Sequence, residues 1–442
     1  MRLRTRWFVG EQGESLTLPF CLVSSLFLLW GFCNGLIDVM DKHFQDELHL
    51  TKAQSAWVQT AHYLGYALMA LPAGLIARLI GYKGGILTGL LIVSAGGFWF
   101  IAATAISSFW AFLLGVSVIA MGLTILETVA NPYTTALGPK DYAPFRINLA
   151  QSLNGIGWML GPLVGGAFFY SAAGIEASHA QLQLPYVGVA LLVLAMAAVF
   201  YRSRLPDLVA PADPAEPTLS NDRPKSLWHR PHFLGAVLAQ FLYVAAQAGI
   251  FSFFINYMVS EIPPLPASWA NGALRNGLTA RDGGLFINEQ GAAQLQGLVG
   301  FGLFLLGRLT GTALLTRTSA PRLLGHYNLI NTVLCALVVL RLGWLSVAAV
   351  FATFFFMSIS FPTIFALGIE GLGLQVKRAS AFIVMAILGG AILPKLMGYL
   401  GDLYGMSTSF LMPLGCFALI ALYAYAWPAL RARRLGRVPV RG

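Results

Sequence analysis

The sequence predicts an all-α membrane protein of twelve transmembrane helices arranged as two pseudo-symmetric six-helix halves. Three observations predict it. The chain is 57% hydrophobic and only 10% charged, with a mean hydropathy of +0.70, far from the roughly 25% charged composition of soluble domains. Apolar runs of about 20 residues, enough to cross a bilayer's hydrocarbon core, recur from one end to the other. Residues of the first half also recur at fixed offsets in the second. Only helices and closed barrels satisfy the backbone in lipid, and the weak alternation of a barrel is absent.

The spans fall at about 18–40, 55–78, 84–105, 110–137, 146–171, 184–202, 232–258, 293–316, 322–341, 343–368, 379–400 and 409–430. Arg2, Arg4 and Arg6 precede the first run as in a signal peptide, but no small-residue cleavage site follows, so the run reads as a retained span. With the amino terminus inside, Lys and Arg crowd the cytoplasmic side. They occupy both tails, the central connection and the connections holding Arg78, Lys83, Lys140, Arg146, Arg317, Arg322, Lys377 and Arg378. Lys42, Lys52, Arg275, Arg281 and Arg341 fall outside, and Arg308 and Lys395 lie within spans. This asymmetry places both termini in the cytoplasm. It also explains the net charge of +10 without nucleic acid, because the basic residues punctuate spans.

The organisation follows: an N-terminal half at 1–202, a cytoplasmic linker at 203–231 rich in Pro and charge, and a C-terminal half at 232–442. The long periplasmic segment 259–292 is rich in Gly, Pro and Asn and reads as a plain surface loop. Cys21, Cys33, Cys335 and Cys416 all sit in apolar runs without metal-ligand spacing and read as small buried hydrophobes. No cofactor, metal or catalytic constellation emerges.

The halves repeat. Pro162 and Gly166 match Pro394 and Gly398 at an offset of 232; Asn131-Pro132 matches Phe361-Pro362 at 230; Trp30 and Asn34 match Tyr243 and Gln247 at 213. Changing offsets imply changing loop lengths. Parallel six-span repeats are a transporter plan in which one midplane site opens to alternate sides. Gly74, Arg78 and Lys83 surround the connection between spans two and three, and Gly307-Arg308 is a weaker counterpart. Gly permits close helix approach and the cations can cap helix C-termini, so Gly74, Arg78, Lys83 and Arg308 are the expected gating residues, against plain positive-inside anchoring.

The polar residues inside spans point to the site. Glu127 lies in a long apolar run with no basic residue nearby, and Thr124 and Asn131 share its helical face. A lone ionisable group in a membrane costs about 2.5–3.5 kcal/mol at a helix centre and usually marks a substrate or proton path. Asp38 lies on one face of span one with Trp30 and Asn34, nearer the outer end. A carboxyl group in low dielectric resists ionising, as a proton-coupling group must. The counterparts of Asp38 and Glu127 are Phe251 and Met357. The N-terminal half is therefore expected to handle protons and polar contacts, and the C-terminal half to offer apolar and aromatic surface. Gln151 and Asn154 in span five, and Gln240, Tyr243 and Gln247 in span seven, add amide stripes. Amides suit hydroxyls, and Trp and Tyr faces suit the C–H side of a sugar ring. Each amide alone would also serve as interhelical glue. An anionic solute fits poorly, since no span-centre Lys or Arg is expected to face these groups. Lys395 is expected to snorkel to an interface, and His62 to be structural.

At these residues the chain resembles the fucose permease group of sugar–proton symporters within the major facilitator superfamily. The matching stretches are Leu126-Glu127-Thr-Val-Ala-Asn131-Pro132, Asn148-Leu-Ala-Gln151-Ser-Leu-Asn154, Leu238-Ala-Gln240-Phe-Leu-Tyr243-Val-Ala-Ala-Gln247 and Pro362-Thr-Ile-Phe-Ala-Leu-Gly-Ile369. The resemblance implies the major facilitator fold, uptake with protons, Asp38 as the coupling acid, Glu127 as a sugar-binding group responsive to protonation, and Asn34, Gln151 and Asn154 lining the site. Asn131, Tyr243, Gln247 and Phe361 complete the expected binding set. Gly35, Ile37 and Phe361 stand where the group carries hydrogen-bonding side chains, and Lys395 where it carries an apolar one. These departures touch the identity of the sugar. L-fucose is the first expectation; glucose, galactose or an amino sugar are alternatives. The partners expected are a monosaccharide, protons and lipid, with the chain working as a monomer. A membrane-embedded transferase is the rival class. It requires clustered His, Asp or Arg at a membrane face, which the sequence lacks.

Overall fold

The structure is a computed structural model and describes residues 8, 14–106, 108–138, 143–170, 179–206, 227–266, 277–281, 284–315, 317–370, 372 and 376–432. Among these, ten helical stretches are long and apolar enough to cross a membrane. Ala143–Phe169 (α5) and His179–Arg202 (α6) complete the twelve. α5 carries the amide stripe, and only Tyr186–Arg202 of α6 is apolar. The chain divides into two compact units: Met1–His43 with Thr60–Ser220, and Phe44–Gln59 with Asn221–Gly442. Their boundary falls inside the expected linker, of which 207–226 lies outside the described residues. The expected halves differ from the units in one respect: Phe44–Gln59 clusters with the second.

In the first unit, Thr17–Glu47 forms α1, which outruns its expected end by seven residues because Asp41 and His43 are buried rather than solvated. Trp57–Ile106 (α3) joins the second and third spans across Gly81, whose φ of 70° breaks the helix where the sequence places a connection. Phe109–Ala136 is α4. Glycines fix the spacing of α1 against α5. A Cβ on Gly161 would lie 2.6 Å from Leu36 N, one on Gly157 2.6 Å from Phe32 N, and one on Gly31 would strike the Asn154 carbonyl. This is small-residue packing at close quarters, which substitutes in lipid for a hydrophobic driving force. The last turn of α6 is closed by Lys83, whose Nζ donates to the carbonyls of Tyr201 (2.9 Å) and Ser203 (2.8 Å). Arg146, fully buried, closes α4 in the same way by donating to Thr134 O and Gly138 O, both at 3.2 Å.

The second unit is built from Pro231–Ser252 (α7), Phe254–Glu261 (α8), Glu289–Leu295 (α9), Phe301–Leu315 (α10), Ala320–Val339 (α11), Trp344–Met357 (α12), Ser360–Ile369 (α13), Val376–Met385 (α14), Gly389–Tyr404 (α15), Met406–Ser409 (α16) and Leu411–Ala432 (α17). The four-residue helix Lys52–Ser55 (α2), capped by a Thr51–Gln54 capping box, belongs to it. The 259–292 segment is more than a loop. Leu278–Arg281 (β1) pairs antiparallel with Gly284–Ile287 (β2), and Leu265 bridges to Leu285. Asp-Gly separates the strands, a favoured two-residue hairpin connection.

One end of this unit gathers residues the charge count put outside. Arg341 donates to Tyr404 O at 2.6 Å, and Glu261 accepts from Ser407 N and Oγ. Asp402 accepts from the backbone N–H of Lys52 and Ala53, both at 2.9 Å, and pairs with Lys52 Nζ at 3.6 Å. The side chain of Asn256 donates to Gln45 Oε1. Elsewhere Glu370 pairs with Arg431 at 2.8 Å. Lys395 does more than snorkel: its ammonium lies over the Trp57 ring, 2.8 Å from the centroid, a cation–π contact.

Candidate functional site

In the first unit, α4 delivers Glu127 to a narrow crevice lined also by Leu26, Phe27, Trp30, Leu126 and Ala130. Among the described residues the carboxylate has no ion-pair partner. Polar groups gather beside it in two chains. Asn131, one turn on, donates to the Glu127 carbonyl at 3.1 Å and accepts from Gln151 Nε2 at 3.3 Å. Opposite, Trp30 Nε1 donates to the Tyr66 hydroxyl at 2.5 Å, and that hydroxyl adjoins the Asn34 side chain within electrostatic reach of Glu127. His62 packs against the Tyr66 ring at 4.9 Å, so it is an aromatic wall of the site, buried with Nδ1 unpartnered.

The expected residues therefore meet in part. Glu127, Asn131, Gln151 and Asn34 converge through α1, α3, α4 and α5. Asn154 instead spends its Nδ2 on Phe27 O at 3.2 Å, across the glycine seam of α1 and α5. Asp38 is 4% exposed and two turns along α1 from Trp30, outside the Glu127 crevice. It is buried within its unit, and α1 continues for nine residues beyond it. Gly74 faces open space: a Cβ on it would meet nothing within 4 Å, so it makes no close helix contact. The Arg78 side chain lies outside the described residues. Tyr66 escaped the sequence reading, although His62 and Tyr66 one turn apart form a polar-aromatic pair within a span.

The second unit departs from expectation. Phe251 lies in an aromatic cluster, meeting Phe301 at 4.9 Å and Phe354 at 4.8 Å, and Met357 is fully buried. But this half is not only apolar. Tyr243 and Gln240 on α7 are fully buried with unpartnered polar atoms. Phe361 meets Tyr243 edge-on at 6.3 Å, and Gln247 is half-buried one turn beyond. Arg308, on α10 of the same unit, lies in electrostatic reach of Tyr243. No group of His, Cys, Asp and Glu suited to a metal occurs among the described residues.

A family model for the Major Facilitator Superfamily matches residues 20–377. The chain is 34% identical to the L-fucose-proton symporter of Escherichia coli K12, across 93% of this chain and 94% of that one. It is 31% identical to the glucose/galactose transporter of Brucella abortus biovar 1, across 93% and 95%. Among solved structures, the transporter FucP in its outward conformation is 33% identical with a TM-score of 0.64, over 93% of this chain and 99% of that one. A bacterial homologue of the lysosomal transporter Spinster, 14% identical with a TM-score of 0.71 over 94% and 98%, shares the fold alone.

Proposed function

The chain belongs to the Major Facilitator Superfamily, and from that premise we propose that it imports a neutral monosaccharide, L-fucose first, together with protons by alternating access. One observation carries the reading: Glu127 stands without a counter-charge among the described residues, ringed by amide, indole and phenol groups. Such a ring offers donors and acceptors to hydroxyls and an aromatic face to a pyranose, while the carboxyl group can exchange a proton. The names of relatives at 34% and 31% identity, an L-fucose-proton symporter and a glucose/galactose transporter, support the same class. Glucose and galactose are the second reading for that reason.

In this mechanism a protonated Asp38 favours the outward-open state. Sugar then engages Glu127, Asn34, Asn131, Gln151 and the spare donor of Asn154, with Tyr243, Gln247 and Phe361 contributing from the other half. Proton release from Asp38 on the inner side resets the cycle. The protein acts as a monomer in a bacterial cytoplasmic membrane with both termini inside, and Arg78 and Lys83 serve the inner gate. The test is external pH in a lightly buffered, de-energised suspension of expressing cells, to which L-fucose, D-glucose, D-galactose and N-acetylglucosamine are added in turn. Alkalinisation with one sugar, absent in control cells, is the expected result. Entry of labelled sugar without a pH change refutes the coupling. Neither signal refutes the substrate class.

A further inference from the structure

The break between α12 and α13 has a chemical cause and a consequence. Pro362 has no N–H and cannot bond the carbonyl four residues earlier, that of Ser358. Arg308 Nε donates to that same carbonyl at 3.3 Å. The side chain is brought there by the backbone, because Gly307 packs α10 so closely that a Cβ would collide with the Phe355 carbonyl. The guanidinium carries five N–H donors in a fixed fork. One is spent on Ser358, and the Phe304 ring lies beneath the group at 4.8 Å. Among the described residues no carboxylate pairs with it and no other acceptor takes its remaining donors.

A half-buried cation inside a span and without a counter-charge is costly, and such a group marks a ligand path by default. Two buried groups of α7 also lack partners for their polar atoms. Tyr243 is 0% exposed, its hydroxyl is unpartnered, and it lies in electrostatic reach of Arg308. Gln240, one turn earlier on α7, is also 0% exposed, with both amide atoms unpartnered. The start of α13 is itself fixed, since Asn328 Nδ2 donates to Ser360 Oγ at 3.1 Å. Rigid donors aimed at nothing within the protein need an acceptor from outside it.

We propose that Arg308 and Tyr243 form a substrate-oxygen subsite of the C-terminal unit, in which the free guanidinium donors and the tyrosine hydroxyl take one hydroxyl group of the transported sugar. This rests on the sugar-transport reading, and it makes Arg308 a specificity-determining residue rather than a gate anchor. The test uses the full chain in lipid nanodiscs and calorimetric titration with L-fucose, D-galactose and their singly deoxygenated analogues. Arg308→Gln weakens the bound sugar about 10- to 100-fold, the range for a hydrogen bond to a charged group. With one deoxy analogue the wild type and the variant bind within about twofold of each other, because the oxygen they would read is gone. Tyr243→Phe, which keeps the ring, loses discrimination against that same analogue. Equal losses with every analogue, or no loss in either variant while the wild type binds sugar, overturn the subsite and leave the transport reading standing. Failure of the wild type to bind any of the sugars removes both.

Discussion

Asp402 is expected to hold the Phe44–Gln59 segment to its unit, and to do so through the backbone rather than through the Lys52 ion pair. Its two oxygens accept from the N–H groups of Lys52 and Ala53 at 2.9 Å, at the start of a four-residue helix whose donors have no partner inside the helix. Hydrogen bonds to a charged group contribute about 1.5–3 kcal/mol each when buried. The Asp402 side chain is 24% exposed, so solvent competes and roughly 2–3 kcal/mol for the two together is the reasonable figure. The ion pair, 3.6 Å long and a quarter exposed on both sides, contributes about 0–1 kcal/mol. Asp402→Ala should therefore raise local opening about 30- to 150-fold, and Lys52→Met no more than about fivefold. Hydrogen exchange of a peptide covering residues 48–58, measured in nanodiscs, reads both. If Lys52→Met accelerates exchange as much as Asp402→Ala, the backbone account is wrong and the charge pair holds the segment.

Three further outcomes follow from the geometry. Gly157→Ala forces α1 and α5 apart at a seam already in backbone contact, costing about 1–3 kcal/mol as overpacking; thermal unfolding should shift accordingly, while Gly415→Ala, with open space around it, should shift it little. Asp38→Asn should abolish proton-driven accumulation yet leave sugar counterflow, and accumulation at the wild-type level would remove Asp38 from coupling. Lys83→Met uncovers the carbonyls of Tyr201 and Ser203 and should cost about 0.3–1 kcal/mol as lost helix-end stabilisation; a loss as large as that of Gly157→Ala would show that Lys83 does more than close α6.

What the sequence revealed and what it hid divide along physical lines. Spans were readable because bilayer thickness forces apolar runs of one length. Their ends were less so: α1 passes Asp38 and continues to Glu47 because Asp41 and His43 are buried, and composition does not tell a packed polar residue from a solvated one. Glu127 and Asn131 were readable because they lie one turn apart in one helix. Gln151 followed from its own stripe, but its bond to Asn131 is a tertiary fact. Tyr66 was missed because its meeting with Trp30 joins two spans 36 positions apart. The hairpin was missed because strands of four residues leave almost no periodic signal. The place of Arg308 in the chain is legible, but its bond to the carbonyl that Pro362 leaves free joins two helices 50 positions apart.

That freed carbonyl also links the halves through the repeat. Pro132 and Pro362 stand at an offset of 230, and each lacks the donor for the carbonyl four residues before it, Thr128 in one half and Ser358 in the other. In the first half the residue preceding that carbonyl is the acid Glu127. In the second the carbonyl itself holds the guanidinium of Arg308. The same backbone defect thus stands next to an acid in one half and holds a guanidinium in the other. A carboxylate accepts only and a guanidinium donates only, whereas a hydroxyl does both. An ammonium group suits the acid of the first half and is repelled by the cation of the second, and a carboxylate group the reverse. A hydroxyl group suits either without opposing a desolvated charge. Replacing a substrate hydroxyl with an amine, or oxidising a terminal carbon to a carboxylate, should therefore each lower uptake more than deleting the hydroxyl at that position. Uptake of each set of three analogues, measured against the parent sugar, checks it. A carboxylate or amine analogue transported better than its deoxy counterpart would refute the complementarity of the two proline sites.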